Sequence, residues 1–302
     1  MSELLTLAFV VQIVRISVPY VLAALGGTFS ERGGVTNIAL EGILLASAFL
    51  FVLGSYLGGH AAVGLVCGLA GGVGTAALLG AMAVTWRADP IVSGVAINLL
   101  ALGGTKFFLK LVWDSSSNSS RVAAIEPLAR GEGDLGALLE LATHPLIVAT
   151  ALLVGGSTLL LFRTRFGLRL RACGEHPAAA ASLGIAVRRI RWTGVLLSGL
   201  LGGLGGVWLA SNQHQFTDNM SNGRGYIALA AVIFGRWHPA YAALACLLFG
   251  TAEAVQILLQ GQGHGVPTQL LQALPYLLTI VTVVGFMGRA RPPAALGKPF
   301  EG

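Results

Sequence analysis

Charged residues are what this sequence has least of, 11% of 302 residues against 55% hydrophobic. A water-soluble domain of that size needs far more charge to cover its surface, and a mean hydropathy of +0.77 points the same way. A soluble enzyme or carrier is excluded. Cysteine is also scarce: Cys67, Cys173 and Cys246 lie far apart, two of them in apolar runs, so they suggest neither a disulfide framework nor a metal quartet. The six histidines, His60, His144, His176, His214, His238 and His264, show no ligand spacing, and no metal site is expected. No loop of the Gly-x-x-x-x-Gly-Lys-Ser/Thr type occurs, because Gly297-Lys298-Pro299 lacks the hydroxyl and the upstream glycine. If ATP drives this molecule, another chain binds it. No nucleophile, base and orienting group gather on one helix face, which argues against a membrane enzyme. The pI near 9.7 comes from a few clusters rather than a water-exposed basic fold, so nucleic acid is not a partner.

What is present is a series of apolar stretches joined by short polar connectors. That pattern implies an all-α polytopic membrane protein, a single transmembrane domain over residues 1–302 in a lipid bilayer. Stretches near 5–26, 35–57, 61–85, 90–112, 145–162, 192–210, 239–259 and 270–288 are long enough to cross it. A further one, 225–235, is apolar but too short to span straight, as in a half-helix buried among neighbours. The first stretch lacks the basic flank and cleavage site of a signal peptide and reads as a retained helix. Forty-two glycines are spread along the chain, and the strings Gly199–Gly206 and Gly68–Gly74 have the small-xxx-small spacing that brings helix backbones close.

The few charges are unevenly placed. Arg163, Arg165, Arg169, Arg171, Arg188, Arg189 and Arg191 flank the segment Cys173–Ile185. Because Lys and Arg accumulate in short cytoplasmic loops, 163–191 is expected on the cytoplasmic side, and so is the C-terminus with Arg289, Arg291 and Lys298. Two such points need an even number of crossings between them. Counting 225–235 as a crossing satisfies this and gives nine rather than eight spans, with the N-terminus outside. The loop 113–143, which includes Asp114-Ser-Ser-Ser-Asn-Ser-Ser120, is then the one sizeable extracytoplasmic segment, either a flexible connector or a meeting place for an external partner.

Polar residues inside the spans are costly in hydrocarbon and need a partner or a use. Asn37 and Glu41, four residues apart, share one helix face, as a pore lining, a hinge or a packing pair in which Arg15 answers Glu41. Glu253, Gln256 and Gln260 also share a face, and a polar stripe along a water-filled path is the better reading. Asn98 stands alone in an apolar run and suits a hydrogen bond between helices. Asn222 and Arg224 head the short stretch. The candidate lining of a translocation path is therefore Asn37, Glu41, Asn98, Asn222, Arg224, Glu253 and Gln256. Arg32–Gly42 and the segment from Arg224 echo each other, with polar residues and glycine opening directly into an apolar helix. Five crossings separate them. Copies of a true repeat would then point oppositely through the membrane, an inverted repeat with the substrate path at its junction; coincidence between glycine-rich helices is the alternative.

Three segments carry a resemblance: Leu25-Gly-Gly-Thr-Phe-Ser-Glu-Arg-Gly-Gly-Val-Thr-Asn-Ile-Ala-Leu-Glu-Gly42, Gly174-Glu-His-Pro-Ala-Ala-Ala-Ala-Ser-Leu-Gly-Ile185 and Gly223-Arg-Gly-Tyr-Ile-Ala-Leu-Ala-Ala-Val-Ile-Phe-Gly235. In this order, over nearly the whole chain, they resemble the permease subunit of an ATP-binding-cassette importer, in the nucleoside and simple-sugar branch related to ribose and branched-chain amino acid permeases. The resemblance implies a bacterial plasma-membrane subunit without a cofactor of its own. Its implied partners are a second homologous permease, ATPase subunits that bind ATP and Mg, and an extracytoplasmic solute-binding lipoprotein. The chain would form half of a path for a small neutral solute, a nucleoside ahead of a sugar or branched-chain amino acid. In that family the loop matching 174–185 forms a coupling helix on the ATPase, here expected near 176–184 with Glu175, His176, Pro177, Ala178, Ala179, Ala180, Ala181, Gly184 and Ile185. Pro177 suits a first helical turn, the alanines are good helix formers and Gly184 a stop. His176 stands where relatives often have Asn. The rival from another class is an ion-coupled secondary transporter using Glu41 or Glu253 as its coupling carboxylate.

Overall fold

The computed structural model describes residues 7–129, 131, 133–261, 277 and 291–300. In chain order the helices are α1 Leu7–Arg32, α2 Leu40–Gly58, α3 Ala61–Gly80, α4 Pro90–Trp113, α5 Gly133–Thr143, α6 Pro145–Arg163, α7 Arg165–Glu175, α8 Pro177–Ser182, α9 Val187–Gln213, α10 Arg224–Phe234 and α11 Pro239–Gly261. No strand forms among the described residues; the fold is all-α and polytopic. The starts follow local chemistry. Asp89 accepts from the amides of Ile91 and Val92 to cap α4 ahead of Pro90, while Pro145 and Pro177 occupy first turns where a missing N–H costs nothing.

Among the described residues, seven helices are long and apolar enough to cross a membrane: α1, α2, α3 with its π-helical extension Ala81–Thr85, α4, α6, α9 and α11. The expectation of eight or nine differs in two places. The stretch 270–288 lies outside the described residues. The stretch 225–235 folds as α10, whose 11 residues rise only about 16 Å, roughly half a hydrocarbon core.

Buried positions concentrate on α2 and α9, so these two form the centre. Around them, α3, α4 and α6 turn apolar side chains such as Leu99, Phe107, Leu152 and Leu159 outward, as lipid-facing helices do. Glycine sets the tightest contact. A Cβ on Gly72 of α3 would lie 2.5 Å from the Gly199 carbonyl and 2.6 Å from the Gly203 Cα, both on α9, so the backbones touch here. Ser47 of α2 closes the seam, its hydroxyl 2.7 Å from the carbonyl oxygens of both Gly68 and Gly203.

The arginine-rich α7–α8 segment marks one end of the molecule. The chain segment before α2 and the C-terminal residues are stitched to it: Ala295 donates to the Gly174 carbonyl at 2.9 Å and Gly297 to the Gly34 carbonyl at 3.0 Å. At the other end the 113–143 loop is more ordered than a solvated connector. Ser119 donates to the Phe216 carbonyl at 2.9 Å, Val122 to that of His214 at 2.8 Å, and Asp218 to that of Ser117 at 2.8 Å. The physical reason is the non-helical run between α9 and α10. Its backbone groups need partners away from bulk water, and the serine-rich strip supplies them. The later part of the loop folds as α5.

Candidate functional site

The centre of the molecule holds a junction between two helix starts. α10 begins beside Tyr20 and Glu253, and its following turn Arg236–Trp237 reaches Arg32, so it runs along α1 toward the arginine end. α2 runs the other way. It begins beside Gly27 and passes Pro19 and Leu22 through Leu44. The two first turns lie against each other in opposite senses, and Gly225 is required, since any Cβ there would strike the backbone of Leu40 and Glu41. These are the segments whose sequences echo one another.

Glu41 ties the junction together. One carboxylate oxygen accepts from the Gly223 amide at 2.8 Å and the other from the Gly225 amide at 2.7 Å. The carboxylate sits in the first turn of its own helix and caps the start of the other, so both helix dipoles favour it. Arg15, which answers Glu41 in the packing-pair alternative, reaches Asn212 instead, at 3.4 Å. Asn98 of α4 works as the second tie. Its carbonyl accepts from Gly42 at 2.8 Å, and its amide donates to the Ile38 carbonyl at 2.9 Å and the Tyr226 hydroxyl at 3.0 Å. Asn37 faces α9, donating to Ser198 at 2.8 Å. Glu31, which the sequence reading passed over, is 2% exposed and accepts from the Trp237 indole at 2.5 Å. Its signal was there: an acidic residue directly after the stretch 4–30, in which Arg15 is the one charged residue.

Glu253 belongs to a different group. It is bound by Arg224 at 2.6 Å and by the Tyr20 hydroxyl at 2.5 Å, so the expected polar stripe begins with a neutralised pair. Gln256 is half-buried one turn further on, and Asn222 is exposed in the turn before α10, with a positive φ of 42°. Next to this pair a polar cavity of about 350 Å³ opens between α1 and α9, lined by Gln12, Arg15, Asn212, Gln213, Arg224 and Trp208 among others. Its volume is within the range of small-molecule pockets. Two guanidinium groups line it, those of Arg15 and Arg224, and of the expected path residues Arg224 is the one it contains. Asn37, Glu41 and Asn98 are not part of this cavity.

At the arginine end, α8 projects from the body. Thr164 caps α7 by accepting from Gly167, and His176 separates α7 from α8. Glu175, His176, Ala178, Ala179, Ala181, Ser182 and Gly184 are exposed, Pro177 and Ile185 half-buried. Ala180 turns inward instead. It packs with Cys173, Val187 and Ile185 and holds the short helix down. Leu183, absent from the expected set, is 81% exposed and supplies the apolar tip. Burial pushes the Cys173 thiol above its ordinary value, as befits a small buried hydrophobe. His238, by contrast, is pushed below its ordinary value by burial and then by the nearby Arg32 guanidinium. Among the described residues no group of three His, Cys, Asp or Glu is placed to hold a metal.

Comparison with known proteins gives this arrangement a family. The guanosine ABC transporter permease protein NupQ of Bacillus subtilis (strain 168) is 42% identical over 301 residues, covering 93% of this chain and 92% of the relative. The nucleoside ABC transporter permease protein NupC of Lactococcus lactis subsp. cremoris (strain MG1363) is 37% identical over 297 residues, with 93% and 92% covered. A second Bacillus subtilis protein, the guanosine ABC transporter permease protein NupP, is 24% identical over 254 residues, 80% of this chain and 72% of the relative. No solved structure matches. The family model described as the branched-chain amino acid transport system permease component matches residues 9–283, and the chain belongs to that family of multi-pass membrane transport subunits.

Proposed function

We propose that this chain is one half of the translocation path of an ATP-driven nucleoside importer in a bacterial plasma membrane, with the arginine end and the C-terminus in the cytoplasm. The nucleoside class is supported by the relatives named for guanosine and nucleosides at 42% and 37% identity, ahead of a putative glucose permease at 30%. A second, unlike permease is the other half, in keeping with two Bacillus subtilis proteins named for guanosine that match this chain at 42% and 24%. ATPase subunits holding ATP and Mg, and an extracytoplasmic solute-binding lipoprotein, complete the assembly.

One observation carries the mechanism: the end of α7, which leads into α8, is hydrogen-bonded through the C-terminal residues to the segment before α2. Glu175 accepts from the Ala294 amide at 3.1 Å, Gly174 from Ala295, and Gly297 donates to Gly34, the residue that leads into Asn37 and Glu41. An ATPase gripping Ala178, Ala179, Ala181 and Leu183 therefore pulls, through the C-terminal residues, on the segment that enters α2. The α2–α10 contact then shears, and access alternates between the two sides. The outer cavity with Arg15, Asn212 and Arg224 receives the solute from the binding protein.

The test is uptake of labelled guanosine by cells expressing the chain with its partner subunits. Uptake persists when the proton gradient is dissipated and stops when ATP is depleted. Collapse with the gradient while ATP remains high would make the chain an ion-coupled carrier and overturn the importer reading. Replacing Ala178 and Ala179 with Trp removes ATPase co-purification; retained co-purification refutes the coupling role of α8.

A further inference from the structure

The first turn of α9 is built against its own electrostatics. A helix N-terminus carries partial positive charge and favours acids, yet this one has no acidic residue and holds Arg188, Arg189 and Arg191. Ala186 at the N-cap offers no side-chain acceptor, leaving the first amides uncapped. Arg191 deepens the imbalance. It is 4% exposed, and among the described residues its Nη1 alone is engaged, donating to the Lys298 carbonyl at 2.8 Å, while Nε and Nη2 are buried with no partner there. Leaving such donors unmade is expensive, more so when they carry charge.

Beside Arg191 is a cavity of about 50 Å³, lined by Ala83, Val84, Thr85, Arg87, Arg188, Arg191 and Phe300. Arg87 arrives from the turn after the π-helical extension of α3, with a positive φ of 59°. The acid nearest to it in sequence, Asp89, is already occupied in capping α4. No Asp or Glu lines the cavity among the described residues. Three arginines thus line a space larger than one water and smaller than a nucleoside. A group that fits must be compact, anionic and able to accept several charge-assisted hydrogen bonds, which describes a tetrahedral oxyanion.

We propose that Arg87, Arg188 and Arg191 form a binding site for a phosphate group, supplied by a phospholipid headgroup at the bilayer edge or by free phosphate. Arg87 and Arg188 are exposed and form its rim, so the rest of a larger ligand stays outside. The site does not depend on the transport reading and stabilises the α3–α9 contact at the end where α8 docks.

The experiment uses the full chain in neutral detergent and follows thermal unfolding against inorganic phosphate, with chloride at equal ionic strength as control. A parallel arm compares nanodiscs of phosphatidylglycerol with nanodiscs of phosphatidylcholine. Wild type gains melting temperature in at least one arm: a gain with phosphate in detergent identifies the free anion, and a gain confined to phosphatidylglycerol identifies the lipid. Arg87→Gln and Arg188→Gln, both at exposed positions that keep the fold, each weaken the response roughly tenfold, as the loss of one charge-assisted bond requires. Arg191→Gln abolishes it. No gain in either arm, or an equal gain in the Arg87→Gln/Arg188→Gln double variant, overturns the site.

Discussion

Two contacts at the centre of this protein use opposite physics. The α2–α10 junction is held by directional groups: one carboxylate on two amides, and one asparagine bridging three partners. The α3–α9 seam is held by the absence of side chains, with Gly72 against Gly199 and Gly203. A polar tie can break and re-form with different partners, while a glycine seam works only at one separation. The junction is therefore suited to move and the seam to stay fixed. Varying charge at one contact and size at the other separates the two.

Glu41 gives the largest expected effect. Glu41→Ala leaves the amides of Gly223 and Gly225 without acceptors, at about 1–3 kcal/mol each, so a loss of roughly 2–6 kcal/mol is expected. Glu41→Gln has nearly the same volume but turns an NH₂ toward one amide, and loses about half as much. Thermal melting in detergent reads both. If Glu41→Gln melts with wild type, size rather than acceptor chemistry holds the junction and the contrast with the seam disappears.

The seam should respond to size with a sign that depends on position. A Cβ at Gly72 sits 2.5 Å from the Gly199 carbonyl, so Gly72→Ala must push α3 and α9 apart, at about 1–3 kcal/mol. At Gly203 the nearest atom is 3.4 Å away, an ordinary contact. Gly203→Ala is expected to be neutral or to stabilise α9 by up to about 1 kcal/mol, because alanine removes glycine's unfolded-chain freedom. Equal destabilisation by both substitutions would contradict a seam set by individual close approaches.

The two contacts were not equally legible in the sequence. The seam was, because small-xxx-small spacing is local and backbone approach needs only the absence of side chains. The short helix at 225–235 was half legible: its length marked it as too short to span straight, but the parity of the arginine clusters led to its being counted as a ninth crossing. The junction was half legible. Glu41 and Asn98 stood out as polar residues in apolar runs, but the partner of Glu41 is a pair of backbone amides 182 and 184 residues away, and main-chain donors leave no mark in a sequence. Charge complementarity pointed to Arg15 instead. The inward turn of Ala180 and the exposure of Leu183 were hidden too, since four consecutive alanines do not say which one faces the core.

The smallest effect should come from Lys106, whose ammonium lies 2.9 Å from Asp218 with side chains 57% and 24% exposed. Asp218 belongs to the non-helical run that feeds α10, so this pair lies on the path to the junction without sharing its burial. An ion pair this open is screened by salt and is worth under about 1 kcal/mol. Lys106→Met should lower the melting temperature slightly at low ionic strength and leave it at the wild-type value in high salt. A loss approaching that of Glu41→Ala, or one that salt does not erase, would mean that the strip 114–125 and the 214–218 run hold the junction from outside. The tie at Glu41 would then be one part of a larger polar clasp rather than its centre.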